Sequence, residues 1–303
     1  MRLDLKNIYS GSELKSVGPR MSESRISQSD DFRMGFSFVA YGVRIGFRAD
    51  NSELLEKGRL LVFKAFGDRA EFLTRPNEAV DRTFGVGFAD GHFILTQDGI
   101  SEPTHINEDG VFRYLNSAMR IAVGESAKDR VFVHAGAVGW NGQAIILPGT
   151  SYSGKSSLTA ELVHIGAEYY SDEYAVLDDK GMLSPFPRQL SLRSENGTRV
   201  KEVALEELKG KQGSKPIPVG MVLFTRFEMG AKWSPTELTP GECIMELLPN
   251  TLTTRKDPAF SLKVLDLVVR HAIMFRSPRG DAKEIAKFLL EFFEKNTKLT
   301  KIT

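Results

Sequence analysis

The chain has 303 residues, of which 41% are hydrophobic and 26% charged, as in a globular protein of one large or two modest domains. Its 40 Lys and Arg residues balance 39 Asp and Glu residues, so the net charge of +1 predicts no general attraction to nucleic acid or to anionic membranes. A single cysteine, Cys243, excludes an internal disulfide, and no apolar run is long enough to span a membrane, so we expect a cytoplasmic protein.

The N-terminal region, residues 1–110, is predicted to be a small β-rich domain. Residues 1–31 are polar and rich in serine, which favours a loosely held leader. Apolar and polar residues then alternate over Val43–Phe47, a pattern that predicts a half-buried strand. A second alternating segment, Phe84–Leu95, predicts a hairpin that turns at Asp90-Gly91.

Two further elements are expected between that strand and that hairpin. Ser52–Leu55 predicts a short helix, and the apolar run Leu60–Phe63 predicts a strand. No residue pattern in this domain indicates chemistry of its own.

Residues 111–303 mix predicted helices and strands, which indicates an α/β domain with a central sheet. An amphipathic helix at Val111–Val123 precedes an apolar strand at Val131–Val138. Asn141-Gly142 predicts a tight turn into another strand, Ala144–Leu147. Strands are also expected at Gly220–Arg226 and Ala272–Phe275, and helices at Pro240–Leu248, Phe260–His271 and Asp281–Lys295.

The segment from Gly149 to Ser156 matches the phosphate-loop pattern G-x-x-x-x-G-K-[ST]. The predicted strand Ala144–Leu147 precedes it, and apolar residues at helical spacing follow it, as the phosphate loop requires; a coincidental glycine-rich turn is the alternative. Lys155 is expected to reach the β- and γ-phosphates of ATP, and the Ser156 hydroxyl to coordinate Mg²⁺. The predicted nucleotide-binding residues are Gly149, Thr150, Ser151, Tyr152, Ser153, Gly154, Lys155, Ser156 and Ser157.

Two acidic pairs compete for the role of the carboxylates beside this loop. Asp178 and Asp179 follow an apolar run but stand directly before Lys-Gly, where Asp is a common turn residue. Asp172 and Glu173 interrupt an apolar and aromatic segment, a costly position for carboxylates that have no partner. The sequence therefore favours Asp172 and Glu173.

Other polar residues leave two interpretations open. His134 interrupts an apolar strand and is either an active-site group or a satisfied core histidine. Arg188 and Arg193 either contact phosphate or face solvent. Arg276 and Arg279 are expected to follow a strand, from which they could reach the nucleotide.

Four segments together resemble the catalytic core of HPr kinase/phosphorylase and of the HPr-kinase-related proteins. They are VHAGAV, LPGTSYSGKSSL, YYSDEYAVL and PFPRQLSLR, in that order along the chain. The likeness extends over roughly residues 111–290 and, more distantly, to ATP-dependent phosphoenolpyruvate carboxykinase. It implies an α/β P-loop kinase domain, preceded here by the small β-rich domain.

The resemblance implies ATP- and Mg²⁺-dependent transfer of the γ-phosphoryl group to a hydroxyl, usually a serine of a protein or peptide. His134 matches the active-site histidine of the family, and Asp172 and Glu173 match its acidic pair. One of the two carboxylates would accept the hydroxyl proton, and both could help to hold Mg²⁺. The family has Asp-Asp where this chain has Asp-Glu, and its arginine-rich phosphorolysis motif is not found here.

Two further functions remain as alternatives to a protein kinase. One is a nucleotide-binding regulator with little transferase activity, and the other is a small-molecule kinase. The expected partners are ATP and a serine-bearing protein or peptide, without nucleic acid or membrane, and the chain could form a homo-oligomer.

Overall fold

A computed structural model describes residues 32, 34–74, 79–150, 153–186, 188–193 and 200–299, so the predicted leader, residues 1–31, lies outside the described residues. Within the described ranges the protein is mixed α/β, with six α-helices and with sheets of six, nine and two strands. No helix in these ranges is long and apolar enough to cross a membrane.

The six-stranded sheet is formed by the N-terminal part of the chain. Its strands are β1 Met34–Ala40, β2 Val43–Ala49, β3 Ala70–Phe72, β4 Arg82–Ala89, β5 His92–Gln97 and β6 Ile100–Thr104. They lie in the order β3-β1-β2-β4-β5-β6. The hairpin with a turn at Asp90-Gly91 is confirmed by antiparallel pairing of β4 and β5. Two helices, α1 (Ser52–Phe66) and α2 (Glu108–Ser126), pack against this sheet.

The strand predicted at Leu60–Phe63 is wrong, because these residues belong to α1. The Asn51 side chain caps the helix by accepting a hydrogen bond from the Leu54 N–H at 2.9 Å. The buried positions then recur at helical spacing, and the apolar run is divided between faces: Leu60 and Phe63 are more than 60% exposed, while the two residues between them are buried. A continuous apolar run of four residues did not distinguish the two structures.

The second part of the chain builds the nine-stranded sheet, a separate hairpin and four helices. The strands are β7 Val131–Trp140, β8 Gln143–Pro148, β9 Glu168–Ser171, β10 Tyr174–Leu177, β11 Met182–Ser184, β12 Leu190–Arg193, β13 Val200–Val203, β14 Lys211–Gln212, β15 Ile217–Phe227, β16 Thr236–Glu237 and β17 Ile273–Arg279. The helices are α3 Lys155–His164, α4 Pro240–Leu247, α5 Pro258–His271 and α6 Ala282–Leu299. Among the described strands, β12 and β13 pair only with each other.

Three parallel strands lie at the centre of the nine-stranded sheet. Strand β15 pairs in parallel with β8 on one side and with β17 on the other. Their carboxyl ends, at Pro148, Phe227 and Arg279, therefore meet at one edge of the sheet. In open α/β sheets this edge is where ligands bind.

Strands β9 and β10 run in succession along the same neighbour, β7, and both are antiparallel to it. The predicted strand broken by an acidic pair is thereby confirmed, since Asp172 and Glu173 fill the interval between the two strands. Neither residue belongs to a strand, although the Glu173 carbonyl oxygen still accepts a hydrogen bond from the Ala135 N–H of β7.

One hydrophobic core spans both sheets. It contains β1, β2, α1 and α2 together with Phe132, Tyr174 and Phe186 from the second part of the chain. Tyr41, in the β1–β2 turn, packs its ring 5.0 Å from that of Phe132 in a perpendicular arrangement. Separate cores cover the nine-stranded sheet beneath α4 and α5 and beneath α3 and α6. The domain limit predicted at residue 110 stays a prediction.

Candidate active site

The phosphate loop connects β8 to α3, as its sequence predicts. Gly154 caps α3 with φ = 86°, in the left-handed region that favours glycine. A Cβ atom at this position would also lie 2.5 Å from Nη2 of Arg279. Backbone conformation and available space therefore both require glycine at residue 154.

Lys155 is 7% exposed and lies within its own loop. Its Nζ atom donates hydrogen bonds to the carbonyl oxygens of Gly149 at 2.8 Å and Thr150 at 3.0 Å. These contacts hold the ammonium group beside the first turn of α3, where backbone N–H groups favour an anion. The described part of the loop is therefore in contact with a positive charge.

The described part of the loop fits a phosphate group. Ser153 is 8% exposed, and its Oγ atom is buried with no hydrogen-bond partner in the described part of the chain. A phosphate oxygen would satisfy this hydroxyl, since buried polar groups are normally hydrogen-bonded. Ser156 is partly buried and Ser157 exposed, both in the first turn of α3. The other predicted loop residues, Ser151 and Tyr152, lie outside the described residues.

Strand β7 brings the histidine, the loop and the acidic pair together. The Gly149 N–H donates to the His134 carbonyl oxygen at 3.3 Å. One residue further along β7, the Ala135 N–H donates to the Glu173 carbonyl oxygen at 3.1 Å. The beginning of the phosphate loop and the acidic pair thus meet the same two residues of β7, from opposite sides of that strand.

Glu173 is the centre of a buried charge network. Its Oε2 atom lies 3.0 Å from Nε of Arg120 and 2.5 Å from Nη1 of Arg188. Arg120 is 2% exposed and comes from α2, whereas Arg188 precedes the β12–β13 hairpin. Burial alone would raise the pKa of Glu173, but the two guanidinium charges outweigh it and hold the pKa below its ordinary value.

Asp172 has different partners. Its Oδ1 atom accepts a hydrogen bond from the Tyr169 hydroxyl at 3.3 Å, and Oδ2 accepts one from the Ser191 N–H at 3.0 Å. The side chain is buried, and burial raises its pKa even though the Ser191 N–H and the Arg188 charge oppose the rise. Burial thus favours the protonated form of Asp172, whereas the two guanidinium groups favour the ionised form of Glu173.

His134 is partly buried next to Tyr174 of β10, with ring centroids 6.1 Å apart. Burial, together with the positive charge of Lys155, lowers its pKa to about 4, against an opposing effect of Glu173. The imidazole is consequently neutral at pH 7 and can accept or donate a hydrogen bond without adding charge to the site.

Asp178 and Asp179 lie at the other end of β10, in the turn before β11. The Oδ1 atom of Asp178 accepts hydrogen bonds from the N–H groups of Lys180 at 3.0 Å and Met182 at 2.9 Å. The interpretation of Asp178 as a turn residue is confirmed.

A metal ion at this site would need ligand atoms from a bound phosphate as well as from the protein. Among the described residues no group of three or more His, Cys, Asp or Glu side chains could hold one. Mg²⁺ commonly takes one or two protein oxygens together with substrate phosphates, and the hydroxyl of Ser156 and the carboxylate of Asp172 suit that chemistry. Glu173 is already bound by two guanidinium groups. The predicted metal roles of Ser156, Asp172 and Glu173 stay predictions.

The four arginines that the sequence leaves open differ in their places in the structure, and Arg188 pairs with Glu173. Arg279 lies within β17, and its Nη2 donates to the Gly154 carbonyl oxygen at 2.7 Å. Arg120 was missed; the only signal was an arginine next to the apolar stripe of α2. Arg276 pairs with Glu246 at the protein surface instead, and the side chain of Arg193 lies outside the described part of the structure.

Comparison of the chain with models of protein families and with curated proteins finds no match. The interpretation of the site therefore depends on its geometry and chemistry.

Proposed function

We propose that the protein is an ATP-dependent phosphotransferase that moves the γ-phosphoryl group to a hydroxyl, and that this hydroxyl belongs to a serine of a protein or peptide. The observation that carries the proposal is the convergence on β7 of a phosphate loop, a neutral histidine and a buried acidic pair. A ligand is also indicated because the Ser153 hydroxyl beside them is buried with no hydrogen-bond partner among the described residues, whereas buried polar groups are normally hydrogen-bonded. The four motifs that resemble HPr-kinase-related proteins support the same activity.

In this proposal the phosphate loop binds and orients ATP. Lys155 exchanges its contacts with the Gly149 and Thr150 carbonyl oxygens for phosphate oxygens, and the hydroxyl of Ser153 gains a partner. The N–H groups at the start of α3 add further donors. Mg²⁺, held by the Ser156 hydroxyl and the phosphates, would neutralise charge that develops during transfer.

Asp172 is the proposed proton acceptor for the attacking hydroxyl. Its hydrogen-bond donors, Tyr169 and Ser191, are neutral, whereas Glu173 is held by two cations. Glu173 then serves to fix Arg188 beside the site, and neutral His134 is near the reacting phosphate. Transfer of this kind depends mainly on positioning and charge neutralisation, with one carboxylate to receive the proton.

The test is transfer of labelled phosphate from ATP to fractions of a cell lysate, including both protein and metabolite fractions. We expect one labelled acceptor with wild-type protein and Lys180→Ala, whose side chain is exposed in the β10–β11 turn. Lys155→Ala should reduce labelling at least tenfold, because a charge-assisted contact to phosphate is lost. ATP binding without any labelled acceptor would favour a nucleotide-binding regulator, and a labelled metabolite would favour a small-molecule kinase.

A further inference from the structure

We propose that Phe227 forms the wall of a subsite that stacks against the base of the nucleotide. This inference rests on the proposed function, since a base subsite exists only if the phosphate loop binds a nucleotide. Phe227 is the last residue of β15, at the sheet edge where the carboxyl ends of β8, β15 and β17 meet. Ligands bind at such edges in open α/β sheets.

Phe227 is attached directly to the phosphate loop. Its N–H donates to the Ser153 carbonyl oxygen at 3.0 Å. A Cβ atom built on Gly154 would be 3.2 Å from the Phe227 Cβ, so the phenylalanine side chain starts beside the residue that caps α3. A nucleoside that extends from phosphates on this loop would need only a short path to the ring.

The Phe227 ring is also open to solvent. Phe227 is 45% exposed, and Met229, in the turn that follows, is 92% exposed. Isolated apolar residues at the surface are common, but two neighbours beside a polar phosphate site provide an apolar surface of the kind that a base occupies. Every base has a π face, so a base can stack on an aromatic ring without specific hydrogen bonds to its edge.

Arg279 holds this wall in position. Strand pairing sets Arg279 opposite Phe227, and its guanidinium carbon lies 5.9 Å from the centroid of the ring. The same guanidinium donates to the Gly154 carbonyl oxygen at 2.7 Å and to that of Gly280 at 2.8 Å. Arg279 is 1% exposed, so these contacts, together with the contact to the ring, fix the loop and the aromatic side chain relative to each other.

The test compares ATP with inorganic tripolyphosphate, which carries the phosphates without a base, by calorimetric titration in Mg²⁺. We expect Phe227→Leu to weaken ATP binding between about fivefold and a hundredfold, the range for loss of one base–aromatic stack, and to change tripolyphosphate binding less than twofold. Phe227→Trp should retain ATP affinity. Phe63→Leu, an exposed aromatic residue on α1, should change neither ligand.

The other outcomes separate this inference from the proposed function. If Phe227→Leu weakens both ligands equally, the ring only supports the loop; if it weakens neither, or if wild-type protein binds ATP no better than tripolyphosphate, the base does not stack there. Each of these results overturns the subsite and leaves nucleotide binding intact. If wild-type protein binds neither ligand, or Lys155→Ala binds both normally, the proposed function fails as well.

Discussion

The Nε atom of Arg120 lies 3.0 Å from Oε2 of Glu173, although the two residues belong to different layers of the protein. Arg120 extends from α2, which packs in the core of the six-stranded sheet, and Glu173 interrupts the antiparallel partner of β7. The side chains are 2% and 15% exposed. The first sheet and the candidate active site are thus connected by a buried ion pair.

Removing Arg120 should be more costly than removing both partners of this pair. We expect Arg120→Met to lower the free energy of unfolding by about 3 kcal/mol, because Glu173 stays buried with one cation fewer. Chemical denaturation measures this loss. The double variant Arg120→Met with Glu173→Gln should recover part of it, since no uncompensated carboxylate remains; a double variant as unstable as the single one would contradict the ion-pair account.

The two acidic pairs should differ in catalysis. Asp172→Asn removes the proposed proton acceptor and should reduce phosphoryl transfer at least about a hundredfold. Asp178→Asn changes a residue of the β10–β11 turn, at the other end of β10, and should leave the transfer rate nearly unaltered. Single-turnover kinetics with saturating ATP compares the two, and the opposite ranking would show that the acid pair was assigned wrongly.

The free energy of unfolding should decrease as the pH is lowered, because the folded protein buries His134 in its neutral form. Its pKa is about 4 in the folded protein against an ordinary value of 6.5, so the unfolded chain binds the proton first as the pH falls. The stability contribution of the neutral imidazole is present above pH 6.5 and decreases as the pH approaches 4. Between pH 7.5 and 4.5 we expect the wild type to lose about 2 to 3 kcal/mol more than His134→Asn, measured by denaturant unfolding. Equal losses in the two proteins would contradict the prediction.

Two glycines within helices should respond in opposite ways to alanine. In an exposed helix interior, Gly→Ala stabilises by up to about 1 kcal/mol. At Gly58 of α1, however, an added Cβ would lie 2.2 Å from Cε1 of Phe47, so Gly58→Ala should destabilise by about 1 to 3 kcal/mol. At Gly241 of α4 a Cβ would meet nothing within 4 Å, and Gly241→Ala should be neutral or stabilising. Melting temperatures of the two variants, each compared with the wild type, measure these changes in stability.

The sequence predicted local features of the site well. The glycines and lysine of the phosphate loop form one short segment, and the interruption of β9 and β10 by Asp172 and Glu173 is visible as a break in an apolar pattern. Both features involve only residues that are close together in the chain, so their spacing in the sequence is enough to predict them.

Contacts between distant segments could not be predicted in this way. Arg279 reaches Gly154 across 125 positions of the chain, and Arg120 reaches Glu173 only because α2 packs beside β7. The helical conformation of Leu60–Phe63 likewise depends on which side chains the first sheet buries. Such residues become recognisable only after the layers are assembled.

The position of Tyr41 has a consequence for how the protein melts. Its ring packs against the rings of Phe132 and Phe186, and Phe132 lies two residues before His134 on β7. Opening of the β1–β2 turn would expose these rings to water, and the part of β7 that carries His134 would lose their support. Heating should therefore give a single calorimetric transition. Under the proposed function, ATP should also slow amide hydrogen exchange in β1 and β2, which contribute no residue to the candidate active site.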